Sequence, residues 1–189
     1  MRLLLIKTSS LGDIIHTYPA LTDAMRHIPN LTVDWLVEEG FVDLPLLHPA
    51  VAQVIPLPWR RLRKRLWHPD TWTELRALSA RLKTEHYDLV IDAQGLLKSA
   101  IWGKLISAPV AGLDKQSARE PLAHWFYDHT YSVAWGQHAI NRVRQLFAQA
   151  LTYPIPDLSQ VDYALTLAQH PPASAGQAPS WLSLIHISQ

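Results

Sequence analysis

Short, unbroken apolar runs alternate along this chain with longer stretches of helical periodicity, and that alternation limits its fold more than any other feature. Residues 3–6 (LLLI) are apolar at every position, as expected of a strand covered on both faces. Residues 33–37 (VDWLV), 53–57 (QVIPL), 88–92 (DLVID) and 109–113 (PVAGL) read as further strands. The run at 53–57 is weakened by Pro56, which has no N–H to give to a ladder. Between these runs, Ile14, Ile15, Tyr18, Leu21, Ala24 and Met25 recur at helical spacing, with Pro19 inside that helix and expected to kink it. Trp72, Leu75, Leu78 and Leu82 share one helical face, and residues 96–106 form another helix. Residues 137–151 form a strong helix, with Ile140, Val143, Leu146, Phe147 and Ala150 in line. Strands of four to six residues followed by longer helices indicate an α/β, Rossmann-like domain: a mostly parallel sheet with helices on both faces.

A chain of 189 residues suits one domain with a real core. Seventeen basic and sixteen acidic residues leave a formal charge of +1, so wholesale nucleic-acid binding is not implied. Cysteine is absent, which excludes disulfides and thiolate metal sites. The N-terminal apolar run is too short for a signal-peptide core, and no stretch approaches the roughly 20 apolar residues of a membrane span. A cytoplasmic protein is the resulting expectation. The histidines are scattered without metal-ligand spacing, so no metal is expected.

In open α/β sheets, ligands bind beyond the carboxyl ends of the strands. The first such turn is KTSSLGD, residues 7–13. Ser9 and Ser10 offer hydroxyls, Gly12 permits close backbone approach, and Asp13 falls near a helix N-terminus that favours its ionised form. Ser10 and Asp13 also have capping-box spacing, so local pattern supports a helix cap as well as a reactive carboxylate. The second turn is Asp92-Ala93-Gln94-Gly95 followed by Lys98. Gln94 and Lys98 are candidates to touch a sugar or phosphate. The competing reading is a plain strand-to-helix turn in which Asp92 accepts from neighbouring backbone N–H groups.

Residues 60–65 (RRLRKR) place five cations in six positions, flanked by Trp59 and Trp67. A charge run is usually a solvated face. This one is concentrated on a nearly neutral chain and interleaved with aromatics. That favours an anionic ligand: a phosphate, a sugar carboxylate or a membrane surface. Single-stranded nucleic acid is the rival occupant.

Taken in order, MRLLLIKTSSLGDIIHTYPALTDA, VDWLVEEGF, RRLRK, YDLVIDAQGLLKSA, SAREPLAHWFY and HAINRVRQLFA resemble the heptosyltransferases of glycosyltransferase family 9, from residue 1 to about residue 170. The resemblance implies the two-domain GT-B fold, with the acceptor on the N-terminal domain and the nucleotide sugar on the second. It implies transfer of L-glycero-D-manno-heptose from ADP-heptose to the Kdo of lipid A–Kdo, by inverting direct displacement, at the cytoplasmic face of the inner membrane. Other acceptors within the family, or a nonenzymatic binder of anionic membrane or nucleic acid, are the alternatives. On this resemblance Asp13 is the general base, and Ser9, Ser10 and Gly12 shape the turn around the sugars. Arg60, Arg61, Arg63, Lys64 and Arg119 meet the acid groups of Kdo and the phosphates of lipid A, while Gln94 and Lys98 contact substrate. No cofactor is implied beyond the donor ADP-heptose, and no nucleic-acid partner. The resemblance places the acceptor domain at residues 1–169. Residues 170–189 (HPPASAGQAPSWLSLIHISQ) read as a linker and a truncated or non-native tail, with the second GT-B domain missing and the fragment inactive alone.

Overall fold

The computed structural model describes residues 1–65 and 67–165. Residues 166–189, including the expected linker and tail, lie outside the described residues. Six strands form one sheet: β1 (Arg2–Ile6), β2 (Thr32–Glu38), β3 (Val51–Leu57), β4 (Leu89–Asp92), β5 (Val110–Leu113) and β6 (His129–Tyr131). Their order is β3-β2-β1-β4-β5-β6, and every pair is parallel. The helices are α1 (Leu11–Ile15), α2 (Tyr18–His27), α3 (Trp59–Leu62), α4 (Pro69–Thr84), α5 (Leu97–Lys104) and α6 (Ala139–Ala150).

Alternation within the strands sorts the core into two layers. Leu3, Leu5, Val33, Trp35, Val37 and Ile91 point to the layer covered by α2 and α6. Leu4, Ile6, Leu36, Val90 and Val110 point to the other, covered by α4 and α5. Trp35 is fully buried, and its Nε1 donates to the Lys7 carbonyl at 3.0 Å. Burying about 200 Å² of its ring is worth about 5 kcal/mol. That hydrogen bond satisfies its one polar atom.

The expected helix with an internal kink at Pro19 is instead two helices. α1 ends at Ile15, and Pro19 is the second residue of α2, where its missing N–H is no loss. The five remaining expectations for strands hold. Pro56 sits on β3, which is an edge strand, as proline in a sheet requires. β6 was not expected; its three residues (HTY) are too few to show a period.

Gly112 on β5 lies beneath the Tyr127 ring, so close that an added Cβ would meet Tyr127 Cε2 at 2.3 Å. The Tyr127 hydroxyl in turn donates to Asp92 Oδ2 at 2.8 Å. Gly112→Ala is therefore expected to push Tyr127 off Asp92 and destabilise the domain by about 3 kcal/mol, read as a lower urea midpoint.

A groove of about 1040 Å³ opens on the α4–α5 side, lined mainly by Trp59, Trp72, Leu75, Leu97, Ile101 and Trp102.

Candidate functional site

β2 lies on one side of β1 and β4 on the other, so the chain reverses its winding direction between β1 and β4. A crevice forms there, outside the carboxyl ends of the strands. Both turns singled out in the sequence come to it: residues 7–13 after β1, and residues 93–96 after β4. Gln94 ties them together, its Oε1 accepting from the N–H of Thr8 at 3.1 Å and of Ser9 at 3.3 Å.

Asp13 is in α1, with its side chain about a quarter exposed. It accepts from the Ser10 N–H at 3.1 Å, so the expected helix-starting contact exists. The same carboxylate faces Arg119, whose Nη1 is 3.9 Å from Oδ2. With α1 only five residues long, the macrodipole is a small influence on Asp13, and the nearby guanidinium is the stronger one. Asp13 thus has both roles open to it: one lone pair starts the helix and the rest faces the crevice.

A cavity of about 200 Å³ adjoins Asp13, lined also by Lys7, Gln94, Arg119, Trp135 and Arg142. Lys7 is 6% exposed, and its Nζ donates to the Ala93 carbonyl at 2.8 Å. Burial pushes its pKa down, opposed by the neighbouring charges of Asp13 and Asp92. Arg142 comes from α6, with its guanidinium 3.8 Å above the Trp135 ring. Burial and the neighbouring Arg119 lower its pKa. Neither Lys7 nor Arg142 was singled out in the sequence.

Asp92 is fully buried and takes the structural reading. Its oxygens accept from the N–H groups of Gln94 and Gly95 and from the hydroxyls of Ser99 and Tyr127. Burial raises its pKa, and these four donors work against that rise.

The basic run forms α3 and the 3-10 turn after it, beside the carboxyl ends of β2 and β3. It gathers around Glu38, a buried carboxylate at the end of β2 that was not anticipated. The Arg60 N–H donates to Glu38 Oε2 at 3.3 Å, and Arg60, Lys98 and Arg63 are close enough to favour its ionised form. Burial still holds its pKa up. The Arg60 guanidinium also lies 5.3 Å from the Phe41 ring centre. Arg61 differs from its neighbours: it pairs with Glu39 at 3.0 Å and with Glu74, so its charge is already matched within the chain. Arg63 and Lys64 are exposed. Lys98 lines the apolar groove rather than the Asp13 cavity. The candidate residues therefore divide into an inner cluster around Asp13 and an outer one around Glu38.

Residues 75–182 match the family described as Glycosyltransferase family 9 (heptosyltransferase). Lipopolysaccharide heptosyltransferase 1 of Pseudomonas aeruginosa is 59% identical over 187 residues, which is 98% of this chain and 52% of that protein. The Escherichia coli K12 protein of the same name is 49% identical over 171 residues, 90% of this chain and 53% of its own. The fold superposes on E. coli heptosyltransferase WaaC with ADP-2-deoxy-2-fluoro heptose with a TM-score of 0.84 and 48% identity, covering 87% of this chain and 52% of that one. E. coli ADP-heptose lps heptosyltransferase II, at 18% identity and a TM-score of 0.61 over 82% of this chain and 45% of its own, shares the fold. The chain spans about half the length of the curated relatives it matches.

Proposed function

Because the chain belongs to glycosyltransferase family 9, the heptosyltransferases, we propose that it is the acceptor-binding half of an enzyme that transfers L-glycero-D-manno-heptose from ADP-heptose to the Kdo of a lipid A–Kdo acceptor. The observation that carries this reading is the Asp13 carboxylate, set at the crevice where the sheet reverses direction, with Arg119 3.9 Å away and Lys7 and Arg142 lining the same cavity. The relatives named lipopolysaccharide heptosyltransferase 1, and the solved relative with ADP-2-deoxy-2-fluoro heptose, support an ADP-heptose donor and a lipopolysaccharide acceptor.

In the proposed reaction the acceptor hydroxyl of Kdo attacks the anomeric carbon of the heptose. A new C–O bond forms as the bond to ADP breaks, and ADP departs with the electron pair. Attack from the opposite face inverts the centre. The hydroxyl proton passes to Asp13. An ordinary Asp titrates near 3.9, far below a sugar hydroxyl, so this base works by position and takes the proton as the bond forms. On this proposal the donor and its leaving group are held by a second domain. The direct test is to incubate a chain extended to the relatives' length with ADP-heptose and Kdo–lipid A and to measure ADP release. A rate no higher than without acceptor refutes the reading.

The outer cluster fits the lipid A phosphates and the anionic membrane surface that carries them. Arg60, Arg63, Lys64 and Arg65 surround one short helix, next to a Trp67 that is 100% exposed. Exposed Trp beside cations suits the headgroup region of a bilayer. Contact there would make the protein peripheral at the cytoplasmic face. Arg61, paired with Glu39 and Glu74, contributes least to this proposal. Neutralising Arg60, Arg63 and Lys64 together is expected to weaken acceptor binding about 100-fold, at about 1 kcal/mol for each cation near an anionic surface. Arg61→Gln is expected to change it less than threefold. Titration of lipid A–Kdo micelles at two salt concentrations checks both.

A further inference from the structure

We infer that the apolar groove between α4 and α5 holds an acyl chain of an anionic bilayer lipid, with the lipid's headgroup at the cations that border the groove. This goes beyond the heptose-transfer reading. It assigns a second site, on the α4–α5 side of the sheet and apart from the crevice beside Asp13, and it stands whether or not the chain serves that reaction.

Uncovered apolar surface is the first reason. Trp72, Leu75, Leu78 and Leu82 make the apolar stripe of α4, yet only Leu82 of these is buried. On α6 the comparable residues Ile140, Val143, Leu146 and Phe147 are all buried. Trp72 is 51% exposed, and Ile101 on the α5 wall is 43% exposed. The groove between these walls holds about 1040 Å³. That is the upper end of the roughly 300–1,000 Å³ found in sites that enclose small ligands. The side chains of α4 and α5 thus leave between them a space of ligand size.

The chemistry of the lining is the second reason, and it favours an alkyl chain over a peptide. Apart from the indole N–H groups, the polar side chains of the lining are Arg76, Ser79, Lys98 and Glu120. Glu120 Oε2 already accepts from the Leu97 N–H at 2.6 Å. The backbones of α4 and α5 bond within their own helices, so the walls offer no ladder to a strand. A bound strand or loop would bury N–H and C=O groups without partners, which is costly. An alkyl chain has none to satisfy. Leu97 and Leu105 both line the groove, and at 1.5 Å per residue they give it about 12 Å of wall along α5.

Charge is the third reason. Lys98 is close enough to Glu38 to act on its carboxylate together with Arg60 and Arg63, so the start of α5 adjoins the basic run. Trp59, which precedes Arg60, lines the groove, and so does the exposed Arg76. An anionic headgroup placed there meets cations while its chain enters the groove. A second copy docked by two-fold symmetry would instead bring two basic runs together, like charge against like. Trp67, 100% exposed, and Trp72 follow the run in sequence. Indoles beside cations suit the headgroup level of a bilayer, so the anion is assigned to a bilayer lipid and not to a free phosphate.

The test titrates the 189-residue chain with dioctanoylphosphatidylglycerol below its micelle concentration and follows the tryptophan indole N–H resonances. The lipid is expected to move those of Trp59, Trp72 and Trp102 and to leave that of Trp135, on the Asp13 cavity, in place. It should bind about tenfold or more tightly than dioctanoylphosphatidylcholine, which has the same chains and no net charge. Glycerol phosphate at the same concentration should move none of the three. Ile101→Glu sets a carboxylate in the groove at a position already partly exposed, and affinity for the anionic lipid should fall about tenfold or more. Arg76→Gln with Lys98→Gln should lower that affinity to the level of the uncharged lipid. Groove indoles that do not move, equal binding of the two lipids, or glycerol phosphate acting as well as the lipid each overturn the inference on wild type alone, so it does not depend on any variant folding. Movement of Trp135 in place of the three puts the lipid in the crevice and overturns it too, as does Ile101→Glu or the double variant binding the anionic lipid as wild type. So does a wild-type dimer that Ile101→Glu dissolves, since the groove is then a contact between copies.

Discussion

Asp13→Asn, in a chain extended to the length of its relatives, is expected to lose heptose transfer by about 100- to 10,000-fold while folding as stably as wild type. The amide keeps an oxygen that can accept from the Ser10 N–H, now 3.1 Å from Oδ2, so the start of α1 is preserved. It cannot take a proton from the attacking hydroxyl. Asp13→Ala is expected to lose the same rate and in addition about 1 kcal/mol of stability, because that helix start goes with it. Affinity for lipid A–Kdo should change only a few-fold in either variant, since Asp13 is the one anion beside three cations, Lys7, Arg119 and Arg142, in the cavity lining. The pair of variants separates the two roles that local pattern left open. ADP release measures the rate and urea unfolding the stability. If Asp13→Asn kept most of its rate, Asp13 would be a helix-starting residue only and the base would have to be sought elsewhere.

The largest stability effect is expected at Arg144. It lies on α6 and is almost completely buried, with Nε donating to Asp23 Oδ2 of α2 at 2.6 Å and Nη2 to Oδ1 at 3.3 Å. Its remaining donors reach the carbonyls of Gln160 at 2.9 Å and Asp157 at 3.1 Å. One side chain thus joins α2, α6 and the segment that follows them. Arg144→Met leaves Asp23 as a buried carboxylate without its counter-charge, and removes both carbonyl partners. A loss of about 3–5 kcal/mol is expected, a large part of a typical domain's total stability. Adding Asp23→Leu should recover a substantial share, because an apolar pair avoids the stranded charge. Urea midpoints of the single and double variants measure both. A single variant within 1 kcal/mol of wild type would mean that water reaches Asp23.

The strands inside the sheet were legible because they are buried on both faces. Residues 3–6 (LLLI) and 89–91 (LVI) are buried at every position, so their apolar continuity is visible without any knowledge of partners. β6 was not legible, because an edge strand of three residues has too little buried surface to leave a pattern. The Pro19 expectation failed for a local reason. Helical spacing continues across α1 and α2, and a proline at the second position of a new helix looks in sequence like one inside a long helix.

The candidate site shows the same division. Asp13 and Gln94 were visible because they follow apolar runs in small, polar turns. The charge run at residues 60–65 was visible because it is dense, but its density hid the difference between Arg61, matched by Glu39 and Glu74, and its neighbours. Lys7 looks in sequence like any polar residue after a strand. Arg142 sits on an amphipathic helix, where an arginine reads as part of a solvated face. Glu38 reads as the first of two acids in an ordinary turn.

The order of apolar runs and helical stripes by itself determined a parallel α/β sheet and put the two candidate turns at the carboxyl ends of its strands, since hydrophobic burial depends on local period. Which cations stand beside Asp13 was decided only by the tertiary structure. Lys7, Arg119 and Arg142 lie apart along the chain, and their charges act together only once the fold brings them through space to one cavity.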